Sequence, residues 1–187
     1  MNRWSSIAIL VLACGAAVGA CRSGEESKSD AEADRAPAGV EMVGYDIRRL
    51  RPRNEELLVD MFQRTFDTAV ADGKMVAVLF SADWCEPCRV LDTELGNEHP
   101  VDMIGHVRVI ELKEEDWEGV TRMDEFNALR SRWHKTLNSY PVVVLLDDKG
   151  EKVEEMKEAI TRLEGEGLDP TLPIWFASRR EAANEGS

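Results

Sequence analysis

Two cysteines, Cys85 and Cys88, stand at C-x-x-C spacing with Glu86 and Pro87 between them. Three uses are open to such a pair: thiol–disulfide exchange, metal ligation or an inert structural bridge. A metal needs further ligands. The chain offers only His99, His106 and His134, and no two of them fall at a paired spacing such as H-x-x-x-H. Exchange needs one activated thiolate and a second sulfur within reach of a mixed disulfide. The residues around the pair supply both.

Met75 to Phe80 is an unbroken apolar run and reads as a buried strand, and Ser81-Ala82-Asp83-Trp84 leads from it to Cys85. Pro87 falls where a helix starts, and Val90, Leu91 and Leu95 are spaced to bury one face of that helix. The unpaired N–H groups and positive dipole end of a helix favour a thiolate on Cys85. Cys88 lies one turn further on, placed to resolve a mixed disulfide. Glu86 acts in the opposite sense. Its negative charge disfavours the thiolate and tilts the pair towards a reductant, since strong oxidants owe their potential to a stabilised reduced form.

The 187-residue chain carries 36 acidic and 23 basic residues, a net charge of −13. That balance argues against a general nucleic-acid binder, which needs a basic face for phosphates. It also repels anionic lipid, so membrane attachment needs a specific anchor. Of four cysteines, Cys14 and Cys21 lie in the N-terminal apolar segment, which leaves Cys85 and Cys88 as the only pair in the body. The fold therefore stands on its core, and a disulfide here is the working one.

Leu57, Leu58, Met61, Phe62, Phe66, Ala69 and Val70 mark one helical stripe, with Asn54 as the expected N-cap and Asp72-Gly73 as the stop. Before it, Val40, Met42 and Tyr45 suit an edge strand, and Arg48, Arg49, Arg51 and Arg53 form a basic run read as a solvated face. After the cysteine helix, His99-Pro100 opens a short helical turn and His106 to Leu112 alternates as a strand. Val120, Met123, Phe126, Leu129 and Trp133 predict a helix over 121–134. Pro141 introduces a buried strand, Val142 to Leu146, closed by the turn Asp147-Asp148-Lys149-Gly150. Glu151 to Lys157 fits a returning strand, although Val153, Met156, Ile160 and Leu163 also fit a helix. A last helix follows Asp169-Pro170, with Ile174, Trp175 and Phe176 inward and 181–187 as a frayed tail. Trp117, Trp133 and Trp175 read as core or rim.

Phe80-Ser-Ala-Asp-Trp-Cys-Glu-Pro-Cys-Arg89 resembles the active-site segment of the thioredoxin superfamily, and Ala82-Asp-Trp-Cys85 is especially similar to the C-terminal thioredoxin-like domain of the DsbD thiol:disulfide interchange family. The order of elements agrees. The resemblance implies an α/β thioredoxin fold, a central mixed β-sheet flanked by helices on both faces. It implies that Cys85 is the nucleophile and Cys88 the resolving cysteine, with Trp84 packed beside them as a shield. It also implies a cis-proline at Pro141, with the Tyr140 backbone pairing with substrate as an added strand. The family's buried aspartate six positions before the first cysteine is replaced by Leu79. Glu86 and Glu111 are the candidate substitutes for handling the Cys88 proton.

At the N-terminus, Arg3, the apolar run Ile7 to Val18 and Val18-Gly-Ala-Cys21 resemble a bacterial lipoprotein signal peptide, with Cys21 as the lipidated residue and Cys14 as a weaker alternative. The apolar segment is roughly 14 residues, about 20 Å as a helix and shorter than a hydrocarbon core of about 30 Å. Two acyl chains on Cys21 give stable anchoring. Residues 1–20 thus read as a cleaved signal peptide, 21–39 as the lipidated cysteine with a flexible acidic tether, and 40–187 as the thioredoxin-like domain.

Together these imply a lipid-anchored, extracytoplasmic thiol–disulfide oxidoreductase facing the periplasm, acting on protein thiols and disulfides as a reductase or electron relay. Electrons come from a membrane partner, because no flavin or nicotinamide fingerprint is present and no cofactor beyond the cysteine pair is expected. Two other classes remain open at this point. One is a thioredoxin-fold binding module with the cysteines as a latch; the other is a thiol-based copper chaperone.

Overall fold

The strand that delivers the cysteines is also the centre of the sheet. In the computed structural model, which describes residues 39–136 and 139–185, the order is β1 (Met42–Gly44), β2 (Asp46–Arg49), α1 (Leu58–Ala71), β3 (Met75–Ser81), α2 (Glu86–Leu95), β4 (Glu98–Pro100), α3 (Val101–Ile104), β5 (Val107–Lys113), α4 (Glu114–Glu118), α5 (Met123–Arg130), β6 (Val142–Leu146), β7 (Lys152–Glu155), α6 (Met156–Gly165) and α7 (Leu172–Glu185). Five strands align as β2-β5-β3-β6-β7, and β1 pairs separately with β4. β3 runs parallel to β5 and antiparallel to β6, so the sheet is mixed.

Being central, β3 has a buried face on each side. Val76, Val78 and Phe80 pack with α1 and α5, through Met61, Phe62, Phe66, Phe126 and Leu129. Ala77 and Leu79 face the other way, to Leu91 and Leu95 of α2, Leu163 of α6, and Trp175 and Phe176 of α7. A strand buried on both faces reads as the continuous apolar run seen in the sequence. Helices therefore cover both faces, as the thioredoxin fold requires.

Several sequence expectations are corrected. Asn54 does not cap α1: it has φ 46 in a turn, the helix starts at Leu58, and the Glu125 carboxylate accepts the Leu58 N–H at 2.8 Å. The helix read over 121–134 is shorter, because Thr121 takes φ 57 and α5 spans only Met123–Arg130; α4 precedes it. The segment after Gly150 is both alternatives in turn, strand β7 and then α6, joined by a capping box between Glu155 and Glu158. The expected tail is helical to Glu185. Before the short helix α3, His99 and Pro100 belong to β4, which pairs with β1. Of the arginine run, Arg49 and Arg51 share Asp116 and Arg48 pairs with Asp46. Cys21, its alternative Cys14, and the signal and tether segments lie outside the described residues. Among the described residues no helix is long and apolar enough to cross a membrane.

Candidate active site

Cys85 leaves the C-terminal end of β3 through a tight turn and becomes the N-cap of α2. Its backbone is extended, its carbonyl accepts the Arg89 N–H at 3.3 Å, and its Sγ accepts the Cys88 N–H at 3.3 Å. Pro87 sits in the first turn, where a missing N–H costs nothing. The two sulfurs are joined as a disulfide with the Cα atoms 5.2 Å apart, and Cys85 and Cys88 are 4% and 2% exposed. On reduction, the same Cys88 N–H and the helix N-terminus face any charge that develops on Cys85.

The opposing wall comes from β6. Its antiparallel register sets Val142 opposite Phe80, which brings the preceding Tyr140-Pro141 to the sheet end where Cys85 emerges. The Tyr140–Pro141 peptide bond is cis, and Tyr140 packs against Ala82, Cys85 and Cys88. Trp84 is placed differently from the shield expected. It is 64% exposed, meets the Tyr140 ring edge-to-face at 5.7 Å, and donates from Nε1 to Glu114 at 3.0 Å. Burial first, and then the Glu114 carboxylate, push the Tyr140 phenol up to about 12.

Of the two carboxylates expected to handle the Cys88 proton, Glu86 is exposed and engaged by Arg89, whose Nη1 also donates to the Asp83 carbonyl. That ion pair answers much of the charge Glu86 places near Cys85. Glu111 lies on the α2 side of the sheet, directly across the β3–β5 ladder from Leu79, and is buried. Burial raises its pKa, against the opposing pull of Lys113 and Arg49. Lys113 links this carboxylate to the site: its Nζ lies 3.9 Å from Glu111, 2.9 Å from Asp92 on α2 and 3.1 Å from Asp83. Ile47, Arg49, Asp92, Leu95, Gly96, Glu111 and Lys113 line an open cleft of about 280 Å³ in which water can join these groups. Val90, expected on the buried face of α2, is 65% exposed, whereas Leu91 and Leu95 are buried.

Three residues near the site went unread in the sequence. Glu114 and Glu115 open α4 and hold the cysteine loop, Glu115 by accepting the Asp83 N–H at 2.7 Å. The acidic run Glu114-Glu115-Asp116 is an N-terminal helix signal that marks them. Arg130 is buried beneath Tyr140, its guanidinium carbon 4.6 Å from the ring centroid. A cation beside the apolar stripe of α5 was its only trace.

Taken together, the site offers a buried cysteine pair at a helix N-terminus, a proline-led backbone opposite it and a carboxylate–lysine cluster behind it. That arrangement suits a nucleophilic sulfur and a resolving sulfur. The family model for a thioredoxin-like domain matches residues 62–163, over half of the chain. Similar solved structures include a disulphide isomerase from Xylella fastidiosa Temecula1, with 18% identity over 70% of this chain and 98% of that one and a TM-score of 0.47. A putative disulphide-isomerase from Bacteroides thetaiotaomicron has 21% identity, 60% and 78% coverage and a TM-score of 0.38. The oxidised C-terminal domain of Neisseria meningitidis DsbD has 19% identity, 52% and 80% coverage and a TM-score of 0.35. No curated protein matches the chain. The chain belongs to the thioredoxin superfamily of thiol–disulfide oxidoreductases.

Proposed function

We propose that the protein is a membrane-anchored, extracytoplasmic oxidoreductase that reduces protein disulfides or relays electrons to them. The observation that carries the chemistry is the Cys85–Cys88 disulfide at the N-terminus of α2, with the Cys88 N–H on Cys85 Sγ. In the reduced protein, Cys85 as thiolate attacks one sulfur of a client disulfide. A Cys85 Sγ–client bond forms, and the other client sulfur leaves as a thiolate and takes a proton from water. Cys88 then gives up its proton, attacks Cys85 Sγ, closes the 85–88 disulfide and releases the first client sulfur. Two electrons pass from the pair to the client, and a dithiol donor in the membrane restores them.

The reducing direction is supported by the carboxylates around Cys85. Glu114 accepts from the Trp84 indole and Glu115 Oε1 from the Asp83 N–H, both neutral donors, and Glu115 Oε2 has no partner among the described residues, so their charge is left to disfavour the thiolate. The anchor and the extracytoplasmic setting are supported by the lipoprotein-like segment ending at Cys21. Equilibration with a thiol buffer tests the direction. A reduction potential near or below about −230 mV places the pair with reductants, and one near about −120 mV makes it an oxidant and overturns the reading.

A further inference from the structure

Arg130 ends α5 and is 1% exposed. Its Nη2 donates to two backbone carbonyls, of Thr136 at 2.9 Å and of Ser139 at 2.5 Å. Its Nε and Nη1 have no partner among the described residues. The guanidinium carbon lies over the Tyr140 ring, 4.6 Å from its centroid, and Tyr140 packs against the cluster of Ala82, Cys85 and Cys88.

Burying a guanidinium whose partners among the described residues are carbonyls alone is expensive, and an apolar side chain of the same size would fill this place more cheaply. Its use therefore lies in what it holds and what its charge reaches. It pins the chain on both sides of 137–138 and stacks on the next ring along, so the backbone that faces the cysteines is set from α5. The charged groups around Cys85 show what its field adds. Asp83, Glu86 and Arg89 come from the cysteine loop and α2, Lys113 from the end of β5, and Glu114 and Glu115 from α4. Glu86 is paired with Arg89 and Asp83 with Lys113. Glu114 and Glu115 leave an acidic surplus, which pulls Cys85 towards an unreactive thiol. Arg130, 1% exposed and set behind the partly buried Tyr140 ring, is a positive charge on the other side of that ring from the cysteines' cluster.

We propose that Arg130 is a positioning residue of the redox site: it fixes the 139–141 segment against the disulfide and sets a buried positive charge behind Tyr140 that favours the Cys85 thiolate. This rests on the reading of Cys85 as the nucleophile. It lets a site with a reductant's acidic rim keep a nucleophile that is ionised near working pH, where exchange is fastest.

The test is made on the reduced mature chain with Arg130→Met and Arg130→Lys, following thiolate absorbance against pH and alkylation by iodoacetamide with the modified cysteine identified by mass. Arg130→Met is expected to raise the Cys85 pKa by roughly half to one unit and to slow its alkylation at neutral pH about three- to tenfold. Arg130→Lys, which keeps the charge, is expected to recover most of both. A folded Arg130→Met protein with an unshifted Cys85 pKa overturns the proposal while leaving the site reading intact. Alkylation of Cys88 in place of Cys85 in the wild-type chain overturns both. If Arg130→Met does not fold, NMR on the wild type decides: the Arg130 Nε resonance should titrate with Cys85 in the reduced protein and stay flat in the oxidised one. A flat trace in both states refutes the proposal.

Discussion

Glu111 stands directly across the β3–β5 ladder from Leu79, so a carboxylate occupies the strand next to the one in which the superfamily motif carries it. Its pKa is raised, first by burial, and if it handles the Cys88 proton it does so closer to neutral pH than an exposed glutamate would. Glu111→Gln is expected to slow the resolving attack by Cys88 by about tenfold or more, measured as decay of the mixed disulfide, with the first attack by Cys85 nearly unchanged. The stability effect has the opposite sign. Because the folded pKa lies above the unfolded one, ionisation of Glu111 costs stability as pH rises through the folded value. Glu111→Gln should therefore melt higher at pH 7, with the gain vanishing at pH values below the unfolded pKa.

Cys88→Ser should leave Cys85 able to attack and nothing to release it. Covalent client adducts, cleavable by a reductant on a gel, are expected to accumulate, and Cys85→Ser should show under about a tenth of that capture. Equal capture by both variants would contradict the assigned roles.

Glu154 on β7 is the most heavily satisfied carboxylate in the sheet. Burial opposes its ionisation, but Arg179, Arg162 and the Trp175 indole outweigh that and hold its pKa at about 2. With the folded pKa depressed below the unfolded one, the stabilisation is complete above about pH 4.5 and is lost as pH falls towards 2. Glu154→Gln should cost on the order of 2 kcal/mol at pH 7, and denaturant melts should show the two proteins converging through that acid window.

The chain's two tyrosines, Tyr45 and Tyr140, are both raised, Tyr45 by burial and then Glu94, Tyr140 to about 12 by burial and then Glu114. A folded pKa above the unfolded value gives stability that is present below about pH 10 and lost as pH climbs towards 12. Tyrosinate absorbance should thus stay low past pH 10 in the native protein and appear together with unfolding. Ordinary titration of one tyrosine in the folded state would break the packing argument for that ring.

The cysteine turn was legible because its signals are local and agree: an apolar run, a small-residue turn, a proline in the first helical turn and sulfurs one turn apart. The β6 strand was legible for the same reason. β2 was hidden because Asp46, Arg48 and Arg49 leave Ile47 as its only aliphatic residue; what makes it a strand is its parallel ladder to β5, a contact across many residues. Asn54 has the chemistry of an N-cap, yet a tertiary partner, Glu125, supplies the cap four residues later. Arg130 escaped notice because its partners are carbonyls in a loop, and a backbone carbonyl leaves no mark on composition or periodicity.

The short clasp between β1 and β4 has a mechanical meaning. Tension applied at residue 39 meets first the three-position β1–β4 ladder and the bond from the Val101 N–H to the Glu41 carbonyl, 2.9 Å long. The β2–β5 ladder bears load next, and only behind it lies β3 with the cysteines at its end. A domain pulled from its N-terminal side thus has two sacrificial ladders in series ahead of the strand that carries its chemistry.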